Sequence, residues 1–350
     1  MNAIAYQLDP LHDLAGLTVR EQQAPRPGPH QVVIAVRAAS LNRRDLMLMD
    51  GSYPLPATPG VIPLSDGVGE VIAVGDDVTR AALGDRVTAS YFVRFISGPQ
   101  RLAHVAEQYG ANHHGMLATY AVIEEDSVVH VPDHLTDIEA ATLACAGVVA
   151  WAALTKPAPV GPGETILTVG SGNVALFAVQ YAKMLGARVI SITSGPEKAE
   201  RLLELGADET VDRSAIPDWD EKVLELTDGH GVEHVVEAVG LPTLSKSVRS
   251  AGYNATVTMI GASQLPQGQP FENPFVGTYL GIRRIAVGSR DDFEAMNRAI
   301  GQHRMRSVID RTFPLDQAVA AYRYFRDGDP FGKVVITMPR VRGGPALTSR

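Results

Sequence analysis

The chain reads as an α/β protein in two parts, an all-β first third followed by a doubly wound parallel sheet. Three observations predict this. Early runs such as 31–36 and 69–75 are short, β-branched and bounded by Gly, Pro or Asp. From about residue 137, strand-like and helix-length segments alternate. A glycine-rich turn also stands where one of those strands gives way to a helix.

The early strands, with turn signals at Pro25, Pro27, Gly28, Gly60 and Gly84-Asp85, suit a small barrel or sandwich. Asp137 is placed to cap a helix over 138–143. Strands follow at 165–169 and 188–192, with helices at 174–185 and 197–205. Further strands are expected near 209–211, 234–237, 255–260 and 284–287. The helix opening Val174-Ala175-Leu176-Phe177 is apolar nearly all round, as befits an element pressed onto a sheet. Helices near 293–303 and 315–325 and a strand at 333–337 complete the pattern. Residues 340–350, rich in Gly, Pro and Arg, read as a flexible tail.

Bulk properties exclude several functions. A net charge of −8 argues against nucleic acid or an anionic membrane as partner. Cys145 is the one cysteine, which rules out an internal disulfide and a cysteine-built structural zinc. The N-terminus lacks a signal-peptide pattern. The longest apolar stretch, about 15 residues near 140–154, is too short to span a bilayer. A cytoplasmic protein is expected.

The strongest motif is Gly170-Ser171-Gly172-Asn173-Val174-Ala175, a G-x-G-x-x-A between strand and helix. Gly170 makes the turn, Gly172 admits a pyrophosphate close to the backbone, and Ala175 lets helix and strand pack closely. The helix N-terminus at Asn173 and Val174 offers N–H groups to phosphate, and Asn173 suits a left-handed position. This is the dinucleotide-binding signature of a Rossmann fold. At the tip of the next strand stand Thr193 and Ser194 instead of a carboxylate, with Lys198 in the following helix. Hydroxyls and a cation suit a 2′-phosphate, so NADPH is expected over NADH. The competing role for these residues is local: Ser194 capping the helix and Glu197 pairing with Arg201.

The stretches Ser40-Leu41-Asn42-Arg43-Arg44-Asp45, Gly51-Ser52-Tyr53-Pro54 and Gly67-Val68-Gly69-Glu70-Val71 resemble the medium-chain dehydrogenase/reductase superfamily. So do Gly84-Asp85-Arg86-Val87, Cys145-Ala146-Gly147, the phosphate loop and Phe331-Gly332-Lys333-Val334-Val335. The likeness extends to about residue 338. It implies a GroES-like β-barrel catalytic domain (1–126 with 291–340) and a Rossmann dinucleotide-binding domain (127–290). It also implies a homodimer paired through the strand near 282–287.

The zinc-dependent branch of that superfamily carries cysteine where this chain has Asn42 and His-Glu where it has Ser65-Asp66. Only Cys145 stands at a zinc-ligand position, so no metal is expected. The zinc-free branch has Asn and Tyr at the positions of Asn42 and Tyr53, and both are present. Hydride delivery to a carbonyl or an enone builds negative charge on oxygen, which needs a donor. The resemblance assigns Tyr53 as acid or oxyanion donor and Asn42 as its assistant. Asp66 is open between a proton-relay carboxylate and a turn residue. Gly240, Gly261, Val287 and Ser289 match loops reaching the nicotinamide, largely through backbone, and Lys333 joins the cofactor set. Phe92, Phe95 and Tyr109 suggest an apolar or aromatic small-molecule substrate.

The function implied is a zinc-independent, NADPH-dependent reductase of a conjugated C=C or a quinone. A zinc-free carbonyl reductase or alcohol dehydrogenase is the alternative, and an NADPH-binding sensor without turnover a third reading.

Overall fold

A computed structural model describes residues 3–265, 267, 268, 270, 273 and 279–339. The expected tail at 341–350 lies outside them. The described residues up to Val148 and from Val287 onward form one compact unit, and Val149–Ala286 form a second.

The first unit is built on a sheet with strand order Ile309–Pro314, Lys333–Thr337, Gln31–Ser40, Asp66–Val74, Arg86–Ala89, Val128–His130. Tyr120–Glu124 adds to Gln31–Ser40. All pairings are antiparallel except that of Ile309–Pro314 with Lys333–Thr337. Register shifts at Val33/Ile34 and Val36/Ala38 mark bulges, which bend the ten-residue strand Gln31–Ser40. Val32, Ile34, Val36, Val71, Val87 and Ile336 join Leu41, Leu48 and Tyr322 in one core, which sets the sheet's inner face.

Three expectations need correcting here. The first third is not all β: helix Arg43–Asp50 follows the bulged strand, and its capping carboxylate, Asp45, accepts from Asn42 N at 2.7 Å. Residues 127–148 and 287–290 belong with the first unit. Asn297 Nδ2 donates to His130 O at 2.8 Å, and Thr142 Oγ1 to Ser307 Oγ at 2.8 Å. The helix expected over 138–143 is likewise broken. Thr136 caps a short helix, Asp137–Ala140; a π-helical turn, Leu143–Gly147, leads into helix Val148–Thr155.

The second unit is an all-parallel six-stranded sheet. Its order is Glu209–Asp212, Arg188–Thr193, Thr165–Val169, Val232–Glu237, Ala251–Met259, Gly281–Arg284. Numbered along the chain this is 3-2-1-4-5-6, the doubly wound arrangement. The order reverses between Thr165–Val169 and Val232–Glu237, so the loops leaving those two strands flank the crevice where such sheets bind ligands. Helices Asn173–Met184, Pro196–Glu204, Trp219–Leu226 and Leu241–Arg249 connect the strands. The last two had no counterpart in the sequence expectation.

Candidate active site

In the second unit, Gly170 takes φ +101° after its strand, with Gly170 N bonded to Ile192 O at 2.8 Å. That conformation excludes most side chains. Gly172 sits extended (φ −80°) as the N-cap of Asn173–Met184 without a side-chain cap, and a Cβ there would meet nothing within 4 Å. The uncapped helix end therefore faces open space, a cradle that fits an anionic pyrophosphate. Asn173 and Val174 form the first helical turn. Asn173 is helical, not left-handed; the left-handed residue of the loop is Gly170.

One strand over, Thr193 is buried, with Oγ1 lacking a partner, and Ser194 is exposed. Ser194 does not cap the next helix; that position belongs to Gly195 at φ +98°. Gly195 N donates to Asp212 Oδ1 at 2.8 Å, and the amide of Ser214 holds the same oxygen at 2.9 Å. These bonds lower the Asp212 carboxyl pKa from its ordinary value. Arg213 N bonds Thr193 O at 3.0 Å, placing an exposed cation at the same strand tip. Asp212 and Arg213 were not foreseen because they arrive from the neighbouring strand.

Gly240 and Gly261 meet each other's loops. A Cβ on Gly240 would lie 2.6 Å from Ser263 O, and one on Gly261 would lie 2.1 Å from the Val239 carbonyl carbon. Their N–H groups donate to Glu237, Gly240 to Oε1 at 2.9 Å and Gly261 to the main-chain O at 3.0 Å. Both glycines are thus needed for loop packing within the protein. Glu237, fully buried at the strand end, also accepts from Val239 N, Thr243 Oγ1 and Ser247 Oγ. Burial raises its pKa against those bonds. Sequence reasoning read Glu237 only as a strand end.

In the first unit the structure brings Asn42, Asp66 and Lys333 together. Lys333 Nζ, in a residue 1% exposed, donates to Asn42 Oδ1 at 2.8 Å, Leu41 O at 3.0 Å and Asp66 Oδ2 at 3.2 Å. All three ammonium protons are committed to protein oxygens, leaving none for a cofactor phosphate, contrary to the expectation for Lys333. Asp66 Oδ1 accepts from Ser65 Oγ at 2.9 Å, so Asp66 is a buried counter-ion and not a turn residue. With its oxygen held by Lys333, the Asn42 amide has Nδ2 buried and without a partner.

Tyr53 is half-buried. Its hydroxyl lies 2.7 Å from Tyr91 Oη and 3.1 Å from Gln108 Oε1. Ser289 caps helix Arg290–His303, with its N–H and hydroxyl both donating to Asp292 Oδ2 at 2.8 Å. The Ser289 carbonyl accepts from Phe293 N at 3.1 Å, and that of Val287 accepts from Gln100 Nε2 at 3.3 Å. Phe92, Phe95 and Tyr109, from which the sequence suggested an apolar or aromatic substrate, are all at least 95% buried, and Tyr109 bonds Ser127. They are core residues.

The residues at the zinc-ligand positions do not fit a zinc ion. Asn42 Oδ1 and Asp66 Oδ2 already face an ammonium, and Ser65 replaces an imidazole. Burial and Asp66 push the Cys145 thiol well above its ordinary pKa. No group of three or more potential metal-binding His, Cys, Asp or Glu side chains occurs among the described residues. No helix among them is long and apolar enough to cross a membrane.

Comparisons with known proteins give the family. Residues 28–133 match the alcohol dehydrogenase GroES-like domain, and 173–302 the model described as zinc-binding dehydrogenase. A zinc-type alcohol dehydrogenase-like protein of Schizosaccharomyces pombe is 36% identical, over 91% of this chain and 94% of its own length. A quinone oxidoreductase of Pseudomonas aeruginosa is 34% identical, over 76% of this chain and 73% of its own length. The crystal structure of a putative alcohol dehydrogenase from Sinorhizobium meliloti superposes with a TM-score of 0.87 at 32% identity, covering 96% of this chain and 99% of that one. With a GroES-like unit, a doubly wound dinucleotide unit and relatives of this kind, the chain belongs to the medium-chain dehydrogenase/reductase superfamily and is an NAD(P)H-dependent oxidoreductase.

Proposed function

We propose that the protein is a zinc-independent, NADPH-dependent reductase that delivers hydride to a conjugated C=C or a quinone. The observation that carries this reading is the Asn42 amide. Its oxygen is fixed by the Lys333 ammonium, so its buried Nδ2 is a preset donor without a partner. An unsatisfied buried N–H costs about 1–3 kcal/mol, and an arriving substrate oxygen relieves that cost.

Bound NADPH supplies the hydride. The chain's own residues manage the charge that follows. Asn42 Nδ2 donates to the oxygen on which negative charge develops. Tyr53 Oη supplies the proton. Lys333 adds a fixed positive charge behind the amide. Gly170, Gly172 and the helix N-terminus hold the pyrophosphate, while Ser194, Lys198 and Arg213 favour a 2′-phosphate over a bare ribose.

The quinone oxidoreductase among the relatives supports this substrate class, as does an acryloyl-coenzyme A reductase of Metallosphaera sedula at 29% identity. The relatives named alcohol dehydrogenases support the alternative of carbonyl reduction, which uses the same two donors. The partner is a small molecule, with a second copy of the chain as the further partner, and the reaction belongs to the cytoplasm.

The test is NADPH oxidation with p-benzoquinone, cyclohex-2-enone and benzaldehyde, with and without a strong chelator. Chelator-resistant turnover, saturated ketone as the enone product, and at least tenfold faster turnover with NADPH than with NADH are expected. Chelator-sensitive turnover overturns the zinc-free reading, and an allylic alcohol as product moves the protein to the carbonyl class. NADPH binding without turnover of any carbonyl or alkene makes it a sensor.

A further inference from the structure

Tyr53 does not stand alone. Its oxygen, Tyr91 Oη and Gln108 Oε1 form a triangle with sides of 2.7, 3.1 and 3.1 Å. Three oxygens share two protons. Gln108 Oε1 only accepts, and it is held toward the tyrosines because Nε2 donates to Val105 O at 2.9 Å. The Arg44 guanidinium lies 4.6 Å from the Tyr91 ring centre and 5.3 Å from that of Tyr53. Arg44 is 5% exposed, and its Nη1 and Nη2 donate to neutral oxygens, Tyr109 O at 2.8 Å and Gln108 Oε1 at 3.4 Å. Asp45, the neighbouring carboxylate, has one oxygen taken up by Asn42 N. Asp45 offsets part of the Arg44 charge, but both Arg44 bonds go to neutral oxygens, so the buried cation can take up a further negative charge. It becomes useful when negative charge appears beside it.

We propose that Tyr91 is the positioning residue for the acid, donating to Tyr53 Oη so that the Tyr53 proton turns toward the substrate oxygen. This rests on Tyr53 being the acid. As the proton leaves, the Tyr53 O–H bond breaks and the substrate O–H bond forms. The electron pair stays on Tyr53 Oη. The Tyr91 hydroxyl then bonds the new phenolate, and Arg44 is its counter-charge. Gln108 orients the pair at rest and keeps its place because Arg44 Nη2 replaces the lost donor. No redox partner beyond the hydride donor is needed.

Tyr91→Phe keeps the buried ring and removes only the hydroxyl. With cyclohex-2-enone or benzaldehyde, kcat is expected to fall about 10- to 100-fold, the worth of a charge-assisted hydrogen bond. The KM for NADPH is expected to hold. The proton inventory in H2O/D2O mixtures should change from curved, with two hydroxyl protons contributing, to linear. A purely structural role would not make that change. Gln108→Glu sets a carboxylate against Arg44, so it should keep or raise the unfolding midpoint while lowering kcat at least tenfold.

Without turnover, 4-nitrophenolate serves as an oxyanion probe on the NADP+-loaded chain. Its affinity should drop about tenfold in both Tyr53→Phe and Tyr91→Phe. Wild-type kcat and a curved inventory in Tyr91→Phe, or undiminished probe affinity, overturn the proposal. If Tyr53→Phe itself turns over normally, it is the acid reading that fails. An inactive Tyr53→Phe beside a normal Tyr91→Phe rejects this inference alone.

Discussion

Lys333 Nζ donates to Asn42 Oδ1 at 2.8 Å, and that one bond fixes which end of the Asn42 amide is left to act as a donor. The ammonium also binds Asp66 Oδ2, so the lysine on strand Lys333–Thr337 joins two residues of the candidate site. Lys333→Met removes the cation and strands the fully buried Asp66. Breaking a buried pair in this way costs about 3–5 kcal/mol, which urea unfolding would record. Turnover should fall at least tenfold, as the freed amide loses its preset orientation. NADPH affinity should change less than twofold, because no ammonium proton is free for the cofactor. A large loss of NADPH affinity would instead restore Lys333 to the cofactor set.

Asp45 contributes one pH-dependent part of the stability. Burial raises its carboxyl to about 6, against the pull of Arg44, the Asn42 amide and Lys333, with Asp66 adding to the rise. A raised carboxyl pKa means the folded state holds the proton more tightly than the unfolded chain. The contribution of Asp45 to stability is therefore fully present below about pH 4 and is lost as pH rises to about 6. The loss is on the order of 3 kcal/mol. Asp45→Asn can still accept from Asn42 N and carries no charge to bury. It should match the wild type at pH 4 and exceed it in urea unfolding at pH 8. Equal stability of the two chains at pH 8 would contradict the burial argument.

The fold was legible wherever local sequence and packing agree. Thr165–Val169 and Lys333–Thr337 fall where the periodicity put them, since both strands are buried runs bounded by turns. Helix Arg43–Asp50 was not legible because its eight residues pack Arg44 and Asp45 inward, which inverts the usual polarity signal. The helix expected at 138–143 failed for another reason: around Leu143–Gly147 the run is apolar on every side, so its period carries no information about where the helix breaks.

The candidate site divides in the same way. The turn at Gly170 and the helix start at Gly172 were legible because backbone geometry requires them, whereas Asn42 came from the family resemblance alone. Tyr91 and Gln108 were hidden because they meet Tyr53 only in three dimensions, 38 and 55 positions along the chain. Arg44 is near Tyr53 in sequence, but its inward turn shows only in the fold. Phe92, Phe95 and Tyr109 are buried, and an aromatic residue in a loop-rich stretch does not reveal from sequence whether it belongs to a core or to a binding surface.

The two phosphate-loop glycines should separate stability from affinity. Gly170→Ala forces a side chain onto φ +101° and brings Cβ to 3.0 Å from Val239 Cγ2. It should destabilise the chain by about 1–2 kcal/mol and weaken NADPH binding as well. Gly172→Ser meets no protein atom within 4 Å and supplies a favourable N-cap, so the unfolding midpoint should hold or rise. The same hydroxymethyl group occupies the space where the pyrophosphate would approach, so NADPH affinity should fall at least tenfold by fluorescence titration. Unchanged affinity in Gly172→Ser would remove the pyrophosphate from this loop.

Strand Gly281–Arg284 closes one edge of the parallel sheet and pairs only with Ala251–Met259 among the described strands. An open edge with exposed apolar side chains invites a second chain. Ile282 is 38% exposed here, and close by Tyr253 and Tyr279 stack on each other at 5.6 Å while remaining 75% and 69% exposed. A proline at position 282 deletes one edge N–H without touching the core. If two copies pair along this strand, Ile282→Pro should shift the mass measured by light scattering from dimer toward monomer. Tyr253→Ser with Tyr279→Ser should weaken the dimer without abolishing NADPH binding, since the phosphate loop lies at the carboxyl ends of other strands. A dimer of unchanged affinity in Ile282→Pro would place the contact elsewhere on the chain.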